Sequence, residues 1–444
     1  MMARTVTDIL QEAKDKGVEG VSLQFVDIHG QPKHMGIHVR QLEKALNNEV
    51  LLDGSSIAGF RSIETSDMAF HPDFDTFTVL PSGEGERVIA KLNCDIHNPD
   101  GSPFEGCPRG NLKRVLKEAE ALGYTFNVGP ELEFFLFKRD ANGTPTLETH
   151  DQAGYYDLAP DDYGEQVRAD IVNYLLKLGF HMEADHHEVA RGQHEIDFRY
   201  NHALTQADNV TTVKTITRQI ASEYGLHATF IPKPVFGING SGMHCNMSLS
   251  DLQGNNLFYD ANAPHQLSSK ALSFISGLLD NVRGFTAVTN PLVNSYKRLV
   301  PGYEAPVYVA WSTSNRSALI RVPASRGQGT RVELRSPDPA ANPYLAFAVM
   351  LQAGIEGIKA NATPADPTQL NIYKLDADQR VEHGIDSLPG SLYEALECFK
   401  TSKVAKAALG EHIYGEFLKA KQREWDDFRT YVSAWELDRY MAKI

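Results

Sequence analysis

The sequence predicts an α+β protein with a small β-rich domain at its N-terminus and a larger domain of mixed α and β structure. Three observations support this prediction. The 444 residues exceed the usual domain of roughly 100 to 200 residues. Short apolar or alternating runs dominate the first hundred residues. Beyond them, strand-like and helix-like runs are interleaved without strict βαβ alternation.

The first domain is predicted to cover residues 1–103. Residues 1–17 mix acids among apolar positions and predict an amphipathic helix rather than a signal peptide. The strand-like runs that follow are bounded by Gly, Pro, Asn and Asp, and they lie at residues 21–30, 48–54, 75–81 and 86–96. A turn-rich stretch at residues 97–103 then places the domain boundary near residue 104.

The second domain is predicted to cover residues 104–444. Pro108 opens a helix that Gly123 ends, with apolar residues at helical spacing between them. Further helices are predicted at residues 164–179, 211–225, 268–284 and 343–360, and over most of the last 45 residues. Strands are predicted at residues 124–137, 194–200, 242–250, 317–323 and 330–336.

The composition excludes several classes of protein. Lys and Arg number 43 against 57 Asp and Glu, for a net charge of −14, which argues against nucleic acid or an anionic membrane as a partner. The four cysteines form no CxxC pair, so neither a disulfide framework nor a zinc knuckle is expected, and a reducing cytoplasm fits best. No stretch reaches about 18 uninterrupted apolar residues.

Two glutamates in the predicted strand at residues 124–137 share one face. Glu131 and Glu133 are two positions apart, and strand alternation points both carboxylates the same way. Such pairs are common on solvated strand faces, so Glu131 and Glu133 indicate a functional site only if other acidic residues lie close to them.

The segment from His186 to Phe198 predicts a β-hairpin that supplies two more acids. A two-residue turn at Arg191 and Gly192 would place Glu188 directly opposite Glu195. Two charges about 5 Å apart at an effective dielectric of about 20 repel by roughly 3 kcal/mol, and a cation between them would reverse the sign. A longer turn would prevent this pairing, and the sequence leaves both alternatives open.

Two later segments add donors and cations. A glycine-rich loop from Lys233 leads into a strand where His244, Asn246 and Ser248 share a face, which suits a phosphate or a base but also an ordinary turn. Arginines gather over 38 positions, and they suit carboxylates and phosphates unless they are scattered over the surface: Arg298, Arg316, Arg321, Arg326, Arg331 and Arg335. Together with Glu333, these features indicate a divalent-metal site for phosphoryl transfer to an anionic substrate.

The chain resembles the bacterial type I glutamine synthetase family over essentially its whole length. Several motifs carry the resemblance in order: Asp53-Gly54-Ser55-Ser56 with Thr65-Ser66-Asp67, Glu131-Leu132-Glu133, the Lys233 to Ser248 loop, Asn315-Arg316-Ser317, and Arg331 to Asp338. The resemblance implies a small β-grasp domain followed by a catalytic α/β domain of the glutamine synthetase and guanidino kinase type. It also implies ATP-dependent formation of glutamine from glutamate and ammonia through γ-glutamyl phosphate.

The resemblance implies roles for particular residues. The metal ligands for two or more Mg²⁺ or Mn²⁺ ions would be Glu133, Glu188 and Glu195 on one ion and Glu131, His244 and Glu333 on another. Substrate contacts would come from Asn239, Gly240, Arg298, Glu304, Arg316 and Arg335. Nucleotide contacts would come from Glu183, Phe198, Arg199, Tyr200, Asn246, Ser248, Arg316 and Arg321. Catalytic roles would fall to Asp53 at the ammonium, Glu304 in a closing flap, and Arg316 and Arg321 at the transition state.

The resemblance also implies an assembly and its regulation. Family members of this type form two stacked hexameric rings, so a cytoplasmic homododecamer is expected, with Asp53 supplied by the neighbouring subunit. The context of Tyr373 differs from that of the adenylylated forms, which places the chain in the short alpha subtype, where glutamine feedback acts. Arg61 fits the feedback position, although an ordinary interface ion pair is the alternative. In that subtype the inhibited enzyme also binds nitrogen-responsive transcription factors.

Two rival functions remain at this stage. A γ-glutamyl–amine ligase would use the same metals and acyl phosphate with a polyamine or another amine in place of ammonia. A non-catalytic descendant would keep the assembly but lose metal ligands, and all six are present.

Overall fold

The computed structural model describes residues 4–444. Its N-terminal part contains two α-helices and six strands: α1 (Val6–Asp15), β1 (Gly20–Val26), β2 (Pro32–His38), α2 (Leu42–Leu46), β3 (Leu51–Asp53), β4 (Asp67–Pro72), β5 (Thr78–Val79) and β6 (Ile89–His97). Helix α1 begins with a capping box in which Thr5 and Asp8 each accept from the other's backbone N–H. The apolar side of this helix packs Ile9 and Ala13 into the core of the small domain.

The six N-terminal strands form one sheet in the order β2-β1-β6-β4-β3, with β5 also paired to β6. Strands β1 and β6 are parallel and central, and the other pairs are antiparallel. The β-rich first domain predicted from the sequence is therefore confirmed. Strands β2 and β4 were not predicted, and the run at residues 75–81 supplies only the two-residue strand β5.

The larger part contains the remaining elements. Its helices are α3 (Pro108–Ala121), α4 (Glu165–Lys177), α5 (Ala203–Glu223), α6 (Ser269–Thr289), α7 (Ser295–Arg298), α8 (Pro343–Lys359), α9 (Ala377–Glu382), α10 (Leu392–Thr401), α11 (Lys403–Thr430) and α12 (Ala434–Tyr440). Its strands are β7 (Thr125–Arg139), β8 (Pro145–Thr149), β9 (Met182–His187), β10 (Gln193–Phe198), β11 (Asn201–His202), β12 (Leu226–Thr229), β13 (Met243–Ser250), β14 (Tyr308–Val309), β15 (Trp311–Ser312), β16 (Ile320–Arg321), β17 (Val332–Leu334) and β18 (Asp386–Ser387).

Strand β7 organises the large sheet. The strand order is β15-β16-β17-β13-β7-β10-β9, and β8, β11 and β12 also pair with β7. The strand alternates so that Leu132, Phe134 and Leu136 enter the core, while Glu131 and Glu133 lie on the opposite face. One face of β7 therefore carries the main hydrophobic core, and the other carries the two acids followed by a small apolar cluster that includes Phe135 and Phe137.

Helices α6 and α8 pack closely behind this sheet. A Cβ atom at Gly277 would lie 2.2 Å from the Ala353 carbonyl oxygen, and one at Gly357 would lie 2.1 Å from the Ser273 oxygen. Only glycine allows the two backbones to approach this closely. Asn342 caps the start of α8 by accepting from the N–H groups of Tyr344 and Leu345, so its side chain satisfies donors that the helix leaves free.

The two parts of the chain meet at a buried ion cluster. The guanidinium of Arg109, at the start of α3, donates to Asp95 at 3.0 Å, to Asp73 at 2.8 Å and to both oxygens of Asp208 at 2.9 Å. Lys113 contacts Asp73 and Asp95 from the more exposed side. Because Asp73 and Asp95 belong to the first part and Asp208 to the second, the cluster joins the two. Among residues 4–444, no helix is long and apolar enough to cross a membrane.

Candidate active site

The register around β7 brings acids from several strands onto one face. Glu133 lies opposite Glu195 of β10, and Glu131 lies opposite His244 of β13. On the other side of β13, Asn246 pairs with Glu333 of β17. Five of the six predicted metal-ligand positions thus occupy four adjacent strands, although they span about 200 positions in the sequence.

Of the two alternatives for the hairpin, the structure has the longer turn. His187 pairs with His194 and His186 with Glu195, and the N–H of Glu188 donates to the Gln193 carbonyl at 2.8 Å. The turn is two residues longer than the Arg191–Gly192 turn, which places Glu188 opposite Gln193 and not opposite Glu195. The two carboxylates still converge, because one oxygen of each lies within 4.8 Å of the other and of a ring nitrogen of His186.

These residues line a cavity of about 560 Å³. All six predicted metal ligands lie on its wall, together with Arg298, Arg316, Arg321 and Arg335. One group at the β13 side consists of Glu131, His244 and Glu333, and a second at the hairpin side consists of His186, Glu188 and Glu195. In each group the candidate ligand atoms lie within 4.8 Å of one another.

The grouping differs in one respect from the set expected by resemblance. Glu133, expected beside Glu188 and Glu195, places one carboxylate oxygen on two donors: the Gln193 amide at 2.8 Å and the Gly242 N–H at 2.9 Å. Its other oxygen lies 3.9 Å from Nε2 of His244, a member of the first group. In the second group, the His186 ring lies 3.4 Å from Glu195. His186 was not predicted as a candidate ligand, although its position two residues before Glu188 on the hairpin could have suggested it.

The carboxylate at the β13 side is held in its charged form. Burial would raise the pKa of Glu131, but the His244 ring at 3.1 Å and a hydrogen bond from the Asn246 amide at 2.8 Å outweigh it and lower this pKa to about 2. Glu333 is contacted by Arg321 at 2.9 Å and by Arg335 at 3.1 Å. This side of the cavity therefore carries charges that are already compensated.

The hairpin side carries charges that are not compensated. Burial, followed by repulsion from Glu133, raises the pKa of Glu188 to about 7. Burial, Glu133 and Glu131 also raise the pKa of Glu195 well above its usual value. The neighbouring Asp197 has its pKa raised to about 9 by burial and by Glu195. A divalent cation is the species that would relieve this repulsion, so the donor set fits a hard metal ion.

Two of the cavity arginines, Arg298 and Arg335, are fixed by backbone carbonyls. Arg298 is buried and donates to the Ser336 oxygen at 2.7 Å and the Arg335 oxygen at 3.3 Å. Arg335 donates to the Arg316 carbonyl as well as to Glu333. Planar guanidinium groups held in this way are suited to a carboxylate or phosphate ligand.

The glycine-rich loop and the segment carrying Glu304 meet over the cavity. The amide of Asn239 donates to the Glu304 carboxylate at 3.0 Å. A Cβ at Gly240 would lie 2.2 Å from the Pro232 oxygen, so this position requires glycine. Asn239, Gly240 and Glu304, which are among the residues predicted to contact the substrate, therefore all line the first cavity.

A second cavity of about 310 Å³ opens on the far side of Glu131. It contains most of the residues predicted to bind nucleotide, namely Glu183, Phe198, Tyr200, Asn246 and Ser248. It shares Glu131, Ala184 and Asp197 with the first cavity, so a ligand in the second cavity would reach the acids. Arg331, which also lines it, donates to Asn246 at 3.0 Å.

Three predicted residues lie elsewhere. Arg199 lines neither cavity, and its guanidinium lies 6.0 Å from the ring centre of Tyr200, so a direct nucleotide contact is not supported. Asp53, an exposed residue at the end of β3, accepts from the Ser55 N–H at 2.8 Å and lines neither cavity within one chain. Arg61 contacts Asn98 at 2.9 Å and Glu105 at 3.3 Å, and it lies over the ring of Phe104.

Several aromatic residues of the first cavity were not predicted from the sequence. The rings of Tyr155 and Tyr156 are tilted by 34° with their centres 4.0 Å apart, and both pack edge-on against His186. Tyr303 and Tyr373 also line the cavity. These tyrosines belong to no motif that indicates a function, so they can be identified as cavity residues only from the fold.

A further His and Asp cluster lies behind the hairpin and is better described as an ion network than as a metal site. His150, Asp151, Asp162 and His194 place ligand atoms within 4.8 Å of one another. However, Arg168 lies 2.8 Å from Asp162 and also donates to Nδ1 of His194 at 2.8 Å. A neutral His194 that accepts at Nδ1 carries its proton on Nε2, the atom that a metal would need.

Comparison with known proteins agrees with this geometry. Residues 105–440 match the glutamine synthetase catalytic domain, and residues 17–99 match the glutamine synthetase β-grasp domain. A glutamine synthetase from Clostridium saccharobutylicum is 56% identical over 443 residues, and one from Staphylococcus aureus strain MW2 is 55% identical over 447, with 100% of each chain covered in both cases.

Solved structures show the same fold. A GmaS/ADP complex superposes with a TM-score of 0.90 at 31% identity and covers 98% of this chain and 100% of its own. A Plasmodium falciparum glutamine synthetase, solved by cryo-EM, superposes with a TM-score of 0.87 at 26% identity over 99% of both chains. Since both domain matches, the full-length relatives and the acid-lined sheet agree, the chain belongs to the glutamine synthetase family.

Proposed function

We propose that the protein ligates ammonia to the γ-carboxylate of L-glutamate with ATP, giving L-glutamine, ADP and phosphate through γ-glutamyl phosphate. The observation that carries this proposal is the single cavity in which uncompensated glutamates face fixed arginines, with a second cavity adjoining it at Glu131. Full-length relatives named glutamine synthetase support it.

The proposed chemistry assigns the residues of the first cavity to two metal sites and two pairs of arginines. Glu131, His244 and Glu333 would hold one Mg²⁺ or Mn²⁺ ion, and Glu188 and Glu195, with Glu133 or His186, would hold another. Bound ions would neutralise the phosphoryl group during its transfer. Arg298 and Arg335 would bind glutamate, while Arg316 and Arg321 would face the transferred phosphate.

ATP would bind in the second cavity, where Phe198 and Tyr200 offer aromatic surface and Asn246 and Ser248 offer polar groups. The γ-phosphate would then point past Glu131 toward glutamate in the first cavity. A phosphorylated γ-carboxylate has a leaving group that a free carboxylate lacks, and ammonia then displaces phosphate at the acyl carbon.

The test is phosphate release and glutamine formation by purified protein with ATP, glutamate and Mg²⁺ or Mn²⁺, comparing ammonia with a panel of amines. Rapid turnover with ammonia alone supports the proposal. Turnover only with larger amines would replace it with a γ-glutamyl–amine ligase, the rival function. An intact assembly with no turnover at all would favour the non-catalytic alternative.

The ammonia step is proposed to need a second subunit. Asp53 is exposed and lines neither cavity of its own chain, which supports its use in the cavity of a neighbour in a dodecamer of two hexameric rings. A base near ammonium is required because ammonium is not a nucleophile until it loses a proton. Asp53→Ala should impair the ammonia step far more than nucleotide binding, and a fully active monomer in sedimentation would contradict the assembly.

Glutamine feedback is proposed to act through Arg61. Its contacts with Asn98 and Glu105 leave the side chain about 29% exposed, which is consistent with either a regulatory contact or an ordinary ion pair. We expect Arg61→Ala to keep turnover and lose inhibition by glutamine. If glutamine inhibits Arg61→Ala at the same concentration as it inhibits the wild-type enzyme, Arg61 has no regulatory role and forms only an ordinary ion pair.

We also propose that the protein is cytoplasmic. The glutamine-inhibited enzyme is further proposed to bind nitrogen-responsive transcription factors. The four cysteines are all free, which suits a reducing compartment. A pull-down with and without glutamine tests binding of the transcription factors. Equal binding in the two conditions would argue against a contact that depends on feedback inhibition.

A further inference from the structure

The loop that carries Glu304 is fixed at its base and exposed at its tip. We call residues 300–306 the flap loop. Ala305 at its base is buried, and its carbonyl accepts from the Tyr373 hydroxyl at 3.2 Å. Pro301, Gly302 and Glu304 at the tip are exposed. The tip therefore depends on a few side-chain contacts for its position over the cavity.

The backbone of this tip adopts an uncommon conformation. Gly302 has a φ of +96° and Glu304 has a φ of +60°. A left-handed conformation at a glutamate is disfavoured and persists only where surrounding contacts impose it. Two contacts act on the tip: the Asn239 amide holds the Glu304 carboxylate, and Tyr303 between the two residues packs against Lys233.

Lys233 is a rigid partner for Tyr303. Its side chain is buried with 8% exposed. Its backbone is held on both sides by Asn294, which accepts from the Lys233 N–H at 2.7 Å and donates to its carbonyl at 3.0 Å. The ammonium donates to the Ile238 carbonyl and lies 3.8 Å from the centre of the Tyr303 ring. This is well within the range of a cation–π interaction.

We propose that Lys233 is a positioning residue that holds the flap loop over the active site through its ammonium beneath the ring of Tyr303. The inference rests on the proposed function, in which Glu304 closes the site over the acyl phosphate. Lys233 also ties Ile238, next to Asn239, to the same ammonium, so one cation links both partners of the Asn239–Glu304 contact. Loss of this cation should loosen the flap tip from two directions.

Displacement of the flap tip should uncouple ATP consumption from glutamine formation. With the flap loop in place, ammonia attacks the acyl carbon of γ-glutamyl phosphate, the C–O bond to phosphate breaks, and glutamine and phosphate leave. With the tip displaced, water can attack the same carbon and release phosphate while glutamate is regenerated. ATP is then consumed without glutamine, so the ratio of phosphate released to glutamine formed reports the position of the flap.

The experiment measures this ratio in the full-length assembly, with glutamate, ATP and Mg²⁺, at saturating and at limiting ammonia. We expect Lys233→Met to raise the ratio about fivefold or more, as loss of a desolvated cation–π contact would allow. Tyr303→Leu should raise it to a similar extent. Lys233→Arg, which keeps a cation, and Tyr303→Phe, which keeps the ring, should each stay within about twofold of the wild-type ratio.

A double-variant cycle separates positioning from general support. If Tyr303 acts on the flap loop only through Lys233, Lys233→Met with Tyr303→Leu should raise the ratio no further than Lys233→Met alone. A higher KM for glutamate with an unchanged ratio would overturn the inference, because Lys233 would then serve only the loop at Ile238. Tyr303→Leu, in a half-exposed loop residue, provides the test if Lys233→Met does not fold.

The same measurement distinguishes the two proposals. If the wild-type protein forms no glutamine, the proposed function fails. If the wild-type protein couples ATP use to glutamine formation but neither Lys233→Met nor Tyr303→Leu changes the ratio, only the role of Lys233 fails.

Discussion

The protein contains two buried clusters of carboxylates that are built alike but balanced differently. At the junction between the two domains, Asp73, Asp95 and Asp208 surround Arg109, with Lys113 at the rim. The Tyr344 hydroxyl also donates to Asp208 at 2.7 Å. Two cations and a hydroxyl thus serve three carboxylates, and the pKa of Asp73 is lowered because these cations outweigh its burial.

The hairpin side of the active site has the opposite balance. Glu133, Glu188, Glu195 and Asp197 converge there, and among residues 4–444 no lysine or arginine forms an ion pair with any of them. Burial and mutual repulsion raise the pKa of Glu188, Glu195 and Asp197. The comparison shows that burial alone does not identify a functional acid. The informative feature is a buried charge that the protein itself does not compensate.

The largest effect is expected when the balanced cluster loses its cation. Arg109→Met leaves three buried carboxylates without their shared partner, which should cost about 3–5 kcal/mol of stability. Chemical denaturation would measure the loss, and Lys117→Met on the exposed side of the same helix is the control. A change below about 1 kcal/mol would show that this cluster is not a structural junction.

Removal of a charge from the unbalanced cluster should have the reverse effect on stability. Glu195→Gln is expected to lower turnover about 100-fold or more, because it removes a proposed metal ligand. In the presence of a chelator, the same change should raise the melting temperature by roughly 1–3 °C, since it removes repulsion among Glu133, Glu188 and Glu195. A variant that is both inactive and less stable without metal would contradict the idea of an uncompensated cluster.

The pH dependence of the metal-free protein should show the same imbalance. The folded pKa of Glu188, about 7, lies above its ordinary value of 4.5, so the folded state binds more protons between these limits. The contribution of Glu188 to stability is therefore present below pH 4.5 and is lost as the pH rises through about 7, with a slope of at most about 1.4 kcal/mol per pH unit.

Thermal denaturation in a chelator from pH 5 to pH 8 would test this, with Glu188→Gln as the reference that lacks the titrating group. The difference between the two proteins should shrink or reverse when Mn²⁺ is added, because a bound ion would take the place of the proton. An equal pH dependence in the two metal-free proteins would rule out the raised pKa.

The smallest effect is expected at the rim of the balanced cluster. Lys113 is 37% exposed at its side chain, although it contacts both Asp73 and Asp95. Lys113→Met should therefore cost about 1 kcal/mol or less, and the loss should diminish with added salt. A loss of stability as large as that of Arg109→Met would mean that Lys113 contributes as much to the cluster as the buried Arg109 does.

The sequence predicted local features whose geometry depends on a short repeat. The two-residue period of a strand places Glu131 and Glu133 on one face of their strand, and His244 and Asn246 on one face of theirs. The structure confirms both and joins the two pairs on the same face of the sheet. The β-rich first domain and the helices at residues 164–179, 268–284 and 343–360 were also recognisable from periodicity, with small shifts at their ends. The order of the motifs along the chain then carried the resemblance to a family.

Features that depend on how distant segments meet could not be predicted in this way. The hairpin register stayed open because a turn two residues longer moves every pair, and nothing in Val189 to Gly192 excluded either length. His186 was missed because its partner Glu195 becomes its neighbour only in the correct register. Lys233 and Tyr303 are 70 positions apart, and no motif joins them.

The two-domain organisation, the faces on which the acids lie and the family of the chain can all be inferred from the amino-acid sequence. Which acids share a cavity, which of them lack a cation and which lysine contacts the flap loop depend on how distant segments fold together. Strand and helix periods are set by neighbouring residues, whereas charge balance is a property of the space that β7, the hairpin and the loops enclose together.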